Sequence, residues 1–338
     1  MNDDHHDLFK IEKGNKRFTY IKVIESLAAH VEMPVGVVRG LSPGPIFAVT
    51  GGLFPMEYDG VEAASRLYQL TDPKQLSGTL IVVPVVNMPC LQFRTPWFGL
   101  SQSIGPLDGL NINSVFPGDP DGSATEVLAH RLFHDIIVKS DYHVDLRGGD
   151  RNESHLAHTI FLRTGKEIDK KCEEMAKVFG LEYVLPGTPE ITHTGKGTLI
   201  YEAVTHDVAS IISESGLGYR TQPLEECVML HVDGVRNILK HTGMLEGTPV
   251  RPKNQRFLDM TWNRIKAPVS GIFHAIADQG DLVKKGTMLG RITDIDGSEL
   301  SRILSPIDGV VHCMYPRRLV SSGDSLYTLL QIAEPTGW

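Results

Sequence analysis

Short apolar runs alternate with helical patterns over roughly the first 245 residues. PIFAVTGG (45–52) and TLIVVPVVN (79–87) are apolar and rich in β-branched residues, as expected of strands buried on both faces. Apolar residues at helical spacing occur in GVEAASRLYQL, SATEVLAHRLFHDIIVKS, KEIDKKCEEMAKVFG and PLEECVMLHVDGVRNILKHTGML. Strands that alternate with helices of this length predict an α/β domain, residues 1–250, with a mixed, mainly parallel sheet.

The pattern changes after Gly247, where helical periodicity ends. Residues 248–260 form a polar, proline-bearing segment that we interpret as a linker. The rest contains an internal repeat, because APVSGIF (267–273) and VKKGTML (283–289) are echoed by SPIDGVV (305–311) and VSSGDSL (320–326). Two such copies predict a β barrel-sandwich domain of biotinyl or lipoyl type over residues 261–333. Its hairpin tip carries no lysine for a cofactor, so we expect a domain that packs against the α/β part or limits access to it.

Composition narrows the classes of partner. The 338 residues carry a formal net charge of −8, which argues against a general nucleic-acid or anionic-membrane partner. Four scattered cysteines form no CxxC pair, so we expect buried, reduced thiols. The polar start of the chain lacks the apolar core of a signal peptide, and no apolar run reaches 18 residues. We therefore expect a cytoplasmic protein.

Four ordered motifs carry the candidate chemistry. They are GGLFPMEYDG (51–60), PVVN (84–87) followed by DGLNINSVFPG (108–118), DLRGG (145–149) and SESG (213–216). From about residue 35 to the end, the chain resembles the succinylglutamate desuccinylase and aspartoacylase family of zinc hydrolases, within the carboxypeptidase-like superfamily. The resemblance implies a zinc-carboxypeptidase-like α/β/α domain, and the C-terminal β repeat fits it too.

The resemblance also implies roles for individual positions. The family's first motif reads G-x-H-G-x-E, whose His and Glu bind one zinc ion, and its third reads D-L-H, whose His is another ligand. The Asp of that third motif orients a ligand, which assigns Asp145 a supporting role. The second motif reads N-x-N-R, in which Asn and Arg hold the substrate carboxylate, and here Asn113 keeps the Asn position. Glu214 keeps the position of the general base that activates zinc-bound water.

This sequence departs from the family pattern at the zinc ligands and at the substrate clamp. Glu57 keeps one ligand position, whereas Phe54 and Arg147 occupy the two histidine positions and Ser114 replaces the substrate arginine. Phenylalanine offers no lone pair, and arginine carries a positive charge to the place of a dication. We therefore expect zinc to be absent or substoichiometric.

Charge considerations suggest what replaces the metal. We expect the Arg147 guanidinium to occupy the vacated position and to form a salt bridge with Glu57, Glu214 or both, with Asp145 close on the same strand face. His143, His155 and His158 are expected to be packed or only loosely spaced for metal binding. Arg94, together with Arg151, is a candidate replacement for the lost anion contact.

Three functions remain open. The first is a pseudoenzyme that binds a small N-acyl amino acid or a partner without zinc hydrolysis. The second is an active hydrolase of a non-peptide C–N amide bond in an N-acyl amino acid, with an altered metal site. The third is a structural subunit of an active paralogue. We favour the first, because independent parts of one mechanism are missing together, and we expect either a homo-oligomer or a paralogue as partner.

Overall fold

The computed structural model describes residues 10–25, 30–93, 104–149, 153–218, 222–315 and 318–333. The helices within these ranges are α1 (Tyr58–Leu70), α2 (Met88–Gln92), α3 (Ala124–Asp135), α4 (Ile168–Phe179), α5 (Leu199–Thr205) and α6 (Glu225–His241). Short 3-10 turns cover Ile112–Ser114 and Ile137–Lys139. None of the helices in the described ranges is long and apolar enough to cross a membrane.

The strands of the α/β part form a mixed sheet in which the four central strands run parallel, in the order β4-β3-β5-β8. The antiparallel pair β1 and β2 extends one side, and β6 joins β8 antiparallel on the other. This confirms the predicted mixed, mainly parallel sheet. The strands are β1 (Asn15–Glu25), β2 (His30–Arg39), β3 (Ser42–Gly51), β4 (Ser77–Val83), β5 (Tyr142–Arg147), β6 (Ser154–Leu162), β7 (Tyr183–Gly187), β8 (Ala209–Leu217) and β9 (Arg256–Leu258).

Helices cover both faces of this sheet. One apolar core lies between the sheet and α1, α4 and α6, and the other lies between the sheet and α3 and α5. Helix α1 approaches β5 very closely, since a Cβ atom on Gly60 would lie 2.4 Å from the carbonyl oxygen of Leu146. Because glycine has no Cβ atom, the start of α1 can pack directly against the end of β5, where the motif residues lie.

One predicted helix ends earlier than its pattern. The apolar spacing of SATEVLAHRLFHDIIVKS indicated a helix to about residue 140, whereas α3 ends at Asp135 and a 3-10 turn follows. Ser123 is the N-cap, as the serine-rich start predicted, and its backbone N–H donates to Glu126 Oε2 at 2.8 Å. At the other end the Ser140 hydroxyl donates to the carbonyl oxygen of Ile136 at 2.9 Å. This side-chain hydrogen bond satisfies a carbonyl group that would otherwise accept from the backbone of a longer helix.

The C-terminal part is antiparallel β structure with a core of its own. One four-stranded sheet has the order β14-β13-β11-β16, while β10, β17, β15 and β12 pair with one another and connect to the large sheet. One connection is a two-residue ladder in which Cys313 and Met314 of β15 pair with His155 and Ser154 of β6, and a second pairs β18 with β9. The strands are β10 (Asn263–Lys266), β11 (Gly271–Ala275), β12 (Leu282–Val283), β13 (Met288–Thr293), β14 (Glu299–Leu304), β15 (Gly309–Met314), β16 (Leu319–Val320), β17 (Ser325–Leu330) and β18 (Ile332–Ala333).

The cysteines agree with their sequence-based interpretation. Cys90, Cys172, Cys227 and Cys313 are all buried, and no disulfide joins any two of them. Burial raises the pKa of the Cys90 thiol to about 11, which keeps it protonated and unreactive at neutral pH.

Candidate functional site

The candidate site lies at the carboxyl ends of β3, β5 and β8, where the motifs meet. Alternation along β5 places His143, Asp145 and Arg147 on one face, as predicted. The parallel register sets Arg147 beside Glu214 on β8 and Asp145 beside Thr50 on β3. The sheet therefore brings three of the four motifs into one place.

The Arg147 guanidinium is buried, with only 1% of the residue exposed, and its partner is Asp145. Arg147 Nε donates to Asp145 Oδ2 at 2.5 Å, while Thr50 Oγ1 donates to Asp145 Oδ1 at 2.7 Å. Burial alone would lower the pKa of Arg147, but the charges of Asp145, Glu214 and Glu57 and the hydrogen bond to Asp145 raise it. The guanidinium therefore stays protonated and forms a buried positive charge at the carboxyl end of β5.

This arrangement corrects one expectation about Arg147. The predicted direct salt bridge to Glu57 or Glu214 is wrong in its partner, because among the described residues no ion pair within 4.0 Å joins Arg147 to either carboxylate. Asp145 lies two residues away on the same strand face, so its carboxylate meets the Nε edge directly. Glu57 and Glu214 act on the guanidinium only through their charge.

Phe54 and Glu57 come from the loop between β3 and α1. The Phe54 ring is buried and its centroid lies 5.4 Å from Arg147 Cζ, within the range of a cation–π contact. Glu57 is 7% exposed and precedes the first residue of α1, and its backbone N–H donates to the Phe54 carbonyl at 3.0 Å. The aromatic ring and the guanidinium at these two motif positions therefore lie against each other.

His143 is a packed residue, as expected. Its Nε2 lies 3.0 Å from Thr50 Oγ1 and its Nδ1 lies 2.8 Å from Ser210 Oγ. Burial lowers the pKa of His143 to about 4, so the ring stays neutral and ties β3, β5 and β8 together.

Glu214 has the electrostatics of an acid–base group. It is 5% exposed, and burial raises its pKa to about 7 against the opposing charges of His155 and Arg147. A carboxyl group with a pKa near neutrality can both accept and donate a proton under physiological conditions.

The substrate-clamp motif lines a cavity of about 210 Å³ together with the loop that follows β7. Asn113 and Ser114 contribute to it, as do His193 and Lys196. The Asn113 side-chain oxygen accepts from the backbone N–H of Leu199 at 3.1 Å, which directs the amide NH₂ group elsewhere. Burial, followed by the charge of Arg147, lowers the pKa of His193 to about 4.

A cluster of aromatic and imidazole rings lies where β6 meets β15. The His312 ring centroid lies 4.7 Å from that of His158, 5.5 Å from that of His155 and 5.0 Å from that of Trp262. His155 Nε2 lies 3.2 Å from Glu153 Oε2. Both ring nitrogens of His312 are buried without a hydrogen-bond partner in the part of the chain that the structure describes. Sequence reasoning missed His312, His193 and Trp262, because they approach the site only through tertiary pairing of distant segments.

Arg94 and Arg151, the candidate anion contacts, lie outside the described residues. Of the other predicted site residues, Phe54, Glu57, Asp145, Arg147 and Glu214 are brought together, and Asn113 and Ser114 line the adjoining cavity.

Comparison with known proteins identifies the family. Residues 43–224, more than half of the chain, match the model of the succinylglutamate desuccinylase/aspartoacylase catalytic domain. This chain belongs to that family.

Individual proteins that are similar to this family member are consistent with the family assignment. An N-alpha-acetyl-L-2,4-diaminobutyric acid deacetylase of Halomonas elongata is 27% identical over 319 residues, which cover 93% of this chain and 90% of that protein. The crystal structure of a succinylglutamate desuccinylase/aspartoacylase from Rhodobacter sphaeroides has a TM-score of 0.80 at 26% identity, with 96% of this chain and 98% of that one covered. The product-bound ectoine utilization protein of Ruegeria pomeroyi has a TM-score of 0.82 at 23% identity, covering 95% and 96%. At 23% identity, the similarity to the Ruegeria pomeroyi protein shows a shared fold.

Zinc, which the family uses, does not fit the residues that this family member offers. Of the three ligand positions, only Glu57 has a donor atom, because Phe54 has none and Arg147 is a cation bound to Asp145. Catalytic zinc sites normally use three protein ligands. Within the described ranges, no group of three or more His, Cys, Asp or Glu side chains is arranged to hold a metal ion.

Proposed function

We propose that this family member binds a small N-acyl amino acid without performing zinc-dependent hydrolysis. One observation carries the proposal: the buried Arg147–Asp145 pair, under the Phe54 ring, fills the end of β5 where the family places a zinc ligand. A cation cannot coordinate a dication, and removing it from Asp145 would leave a buried carboxylate without its partner. In this proposal zinc is absent or substoichiometric.

Metal analysis combined with a ligand screen tests the proposal. Protein purified without an affinity tag is expected to contain well below one zinc per chain by elemental mass spectrometry. Thermal shift assays with Nα-acetyl-L-2,4-diaminobutyrate and N-succinyl-L-glutamate should raise the melting temperature, while a coupled assay detects no released amine. Stoichiometric zinc with Glu57 as a ligand, or sustained amine release, would overturn it.

A pair of histidines restored at the two altered positions gives a matched control. The double variant Phe54→His/Arg147→His should gain zinc affinity in a calorimetric titration, because Glu57 remains a ligand and Asp145 can orient an imidazole. The single variant Phe54→His, which keeps the Arg147 cation, should not. Equal zinc binding by both variants would show that the guanidinium does not block the site.

We propose that Lys196 takes over part of the lost arginine's role in holding the ligand's carboxylate. Lys196 is the lysine of the cavity that Asn113 and Ser114 line. A Lys196→Gln variant should weaken binding of an N-acyl amino acid several-fold, whereas Lys170→Gln on the exposed face of α4 should not. Unchanged affinity in Lys196→Gln would show that Lys196 does not contribute to ligand binding.

A second candidate is hydrolysis of a non-peptide C–N amide bond by an altered mechanism. The pKa of Glu214, raised to about 7 by burial, favours this candidate because it suits a proton-transfer group. Amine release abolished by Glu214→Gln, in protein without metal, would support it over binding alone.

We also propose a division into residues 1–250, a linker at 248–260 and a barrel-sandwich domain at 261–333 that limits access to the site. The separate core of the C-terminal strands supports this division. Intact-mass measurement of protein from its native host should find no biotinyl or lipoyl group. A cytoplasmic location, and assembly with a second copy or a paralogue, remain predictions.

A further inference from the structure

The Arg147 side chain has more hydrogen-bond donors than the protein satisfies. A guanidinium carries five N–H groups, and here the Nε–H binds Asp145. Nη2 is fully buried and donates to no atom of the described residues. Buried donors are normally paired, so an unpaired nitrogen on a side chain that is 1% exposed points to a ligand acceptor.

The direction of the unpaired edge is fixed by its surroundings. Asp145 holds the Nε side, and the Phe54 ring lies 5.4 Å from Cζ. Glu214 is the register neighbour of Arg147 on β8. His193, a wall of the 210 Å³ cavity, is close enough for the guanidinium charge to affect it. Nη2 therefore remains as the nitrogen of Arg147 that is buried without a partner among the described residues.

The charge around this edge selects against an anion. The carboxylates of Asp145, Glu214 and Glu57 all act on the guanidinium, so the single positive charge is already surrounded by negative groups. A carboxylate placed on the Nη edge would be repelled by Glu57 and Glu214. A neutral oxygen acceptor, by contrast, gains the hydrogen bonds without adding charge.

An amide group meets both requirements, because its carbonyl oxygen accepts and its N–H donates. The Glu214 carboxylate, on the strand next to Arg147, can accept from such an N–H. Arginine and glutamate at adjacent strand ends thus offer a donor and an acceptor to one planar amide.

We infer that the Nη edge of Arg147 binds the carbonyl oxygen of the ligand's N-acyl amide, and that Glu214 accepts the amide N–H. This inference rests on the proposed function and adds which part of the ligand is recognised. The guanidinium takes the place of zinc as the group that contacts the carbonyl, and the intact amide binds more tightly than the free amino acid or the free acid.

Calorimetric titration of the whole chain with Nα-acetyl-L-2,4-diaminobutyrate and N-succinyl-L-glutamate tests the inference. Arg147→Lys keeps the charge but removes the planar pair of nitrogens, and should weaken binding of the bound probe at least tenfold. Arg302→Lys, at an exposed ion pair on β14, is the matched control and should bind like the parent chain. Equal affinity in Arg147→Lys and the parent would overturn the inference while leaving the proposed function intact.

A spectroscopic measurement on the unaltered chain covers the case in which Arg147→Lys fails to fold. A probe labelled with ¹³C at its acyl carbonyl should show an amide I band shifted to lower wavenumber on binding. A band that does not move on binding, or a free amino acid that binds as tightly as its acylated form, would overturn the inference alone. Failure of both probes to bind would overturn the proposed function together with it.

Discussion

The end of β5 and the junction between β6 and β15 are both buried and polar, yet their hydrogen bonding differs. At the end of β5, the Thr50 hydroxyl is hydrogen-bonded to both His143 and Asp145. The other imidazole nitrogen of His143 is hydrogen-bonded to the Ser210 hydroxyl. Each of these groups has a partner on a neighbouring strand of one parallel sheet. The end of β5 is therefore a connected hydrogen-bond network, in which Nη2 of Arg147 is buried without a partner among the described residues.

The junction between β6 and β15 shows the opposite. His312 packs against His155, His158 and Trp262, but neither of its ring nitrogens has a partner among the described residues. The comparison teaches that polar groups are matched within a sheet whose register is set by many hydrogen bonds. Between segments joined by a two-residue ladder, they are matched less well.

Lowering the pH should have the largest effect on the stability of the fold. It acts both on the end of β5 and on the junction between β6 and β15. Burial lowers the pKa of His143 to about 4 and that of His158 to about 3, and it lowers that of His312 well below its usual value. In the unfolded chain these rings take up protons near pH 6.5, while the folded chain keeps them neutral. Stability is therefore full above pH 6.5 and falls as the pH falls toward 4, by several kcal/mol.

Two buried carboxyl groups oppose this trend. Burial raises the pKa of Glu214 to about 7 and that of Asp59 to about 6, so the folded chain holds these protons at a higher pH than the unfolded chain does. Their contribution rises as the pH falls, as does that of His155, whose pKa is raised, against burial, by its hydrogen bond to Glu153. The buried imidazoles with a lowered pKa outnumber these three groups, since His193 and His231 join His143, His158 and His312. Urea denaturation at pH 7.5, 6.0 and 5.0 should give a steadily falling free energy of unfolding, and a constant value would contradict the assignment of neutral imidazoles.

Removal of the guanidinium should be the most damaging single substitution in the β5 network. Arg147→Ala leaves Asp145 buried without its partner and should cost about 3–5 kcal/mol of stability. Arg147→Met combined with Asp145→Asn removes the charge from both members, so its cost should be clearly smaller. Denaturant unfolding measures both, and a cost below about 1 kcal/mol for Arg147→Ala would mean that the pair is not a structural unit.

His143→Leu should cost less than the loss of Arg147 but remain easy to measure. The change leaves the Ser210 hydroxyl buried without its imidazole partner and removes one partner of Thr50, for a cost of about 2 kcal/mol. If His143→Leu proved as stable as the parent chain, the β5 network would contribute nothing beyond the apolar contacts around it.

His312→Phe should have the smallest effect and sharpens the comparison most directly. It removes two buried nitrogens without hydrogen-bond partners while keeping an aromatic ring beside Trp262, so stability should change by less than about 1 kcal/mol or increase. It should also reduce the loss of stability in acid. A cost as large as that of His143→Leu would show that the ring nitrogens at the junction are satisfied after all.

The sequence predicts some of this site for physical reasons and misses the rest for equally physical ones. Strand alternation places Asp145 and Arg147 on one face, and motif spacing brings Glu57 and Glu214 to the same edge. Which carboxylate would pair with Arg147 depended on the direction of one side chain, and Asp145 is its partner. His312 approaches His155 only because β15 pairs with β6, and nothing local in either segment specifies that pairing.

The ladder between β6 and β15 has a mechanical consequence. Strand β6 is hydrogen-bonded on one side to β15 and on the other to β8, where His158 lies opposite Glu214. Besides the path through β18 and β9, a load applied to the C-terminal strands would therefore pass through β6 as shear along the backbone and reach the strand that bears Glu214. Exchanging the C-terminal region with that of a relative would reposition a carboxylate that it does not itself contain.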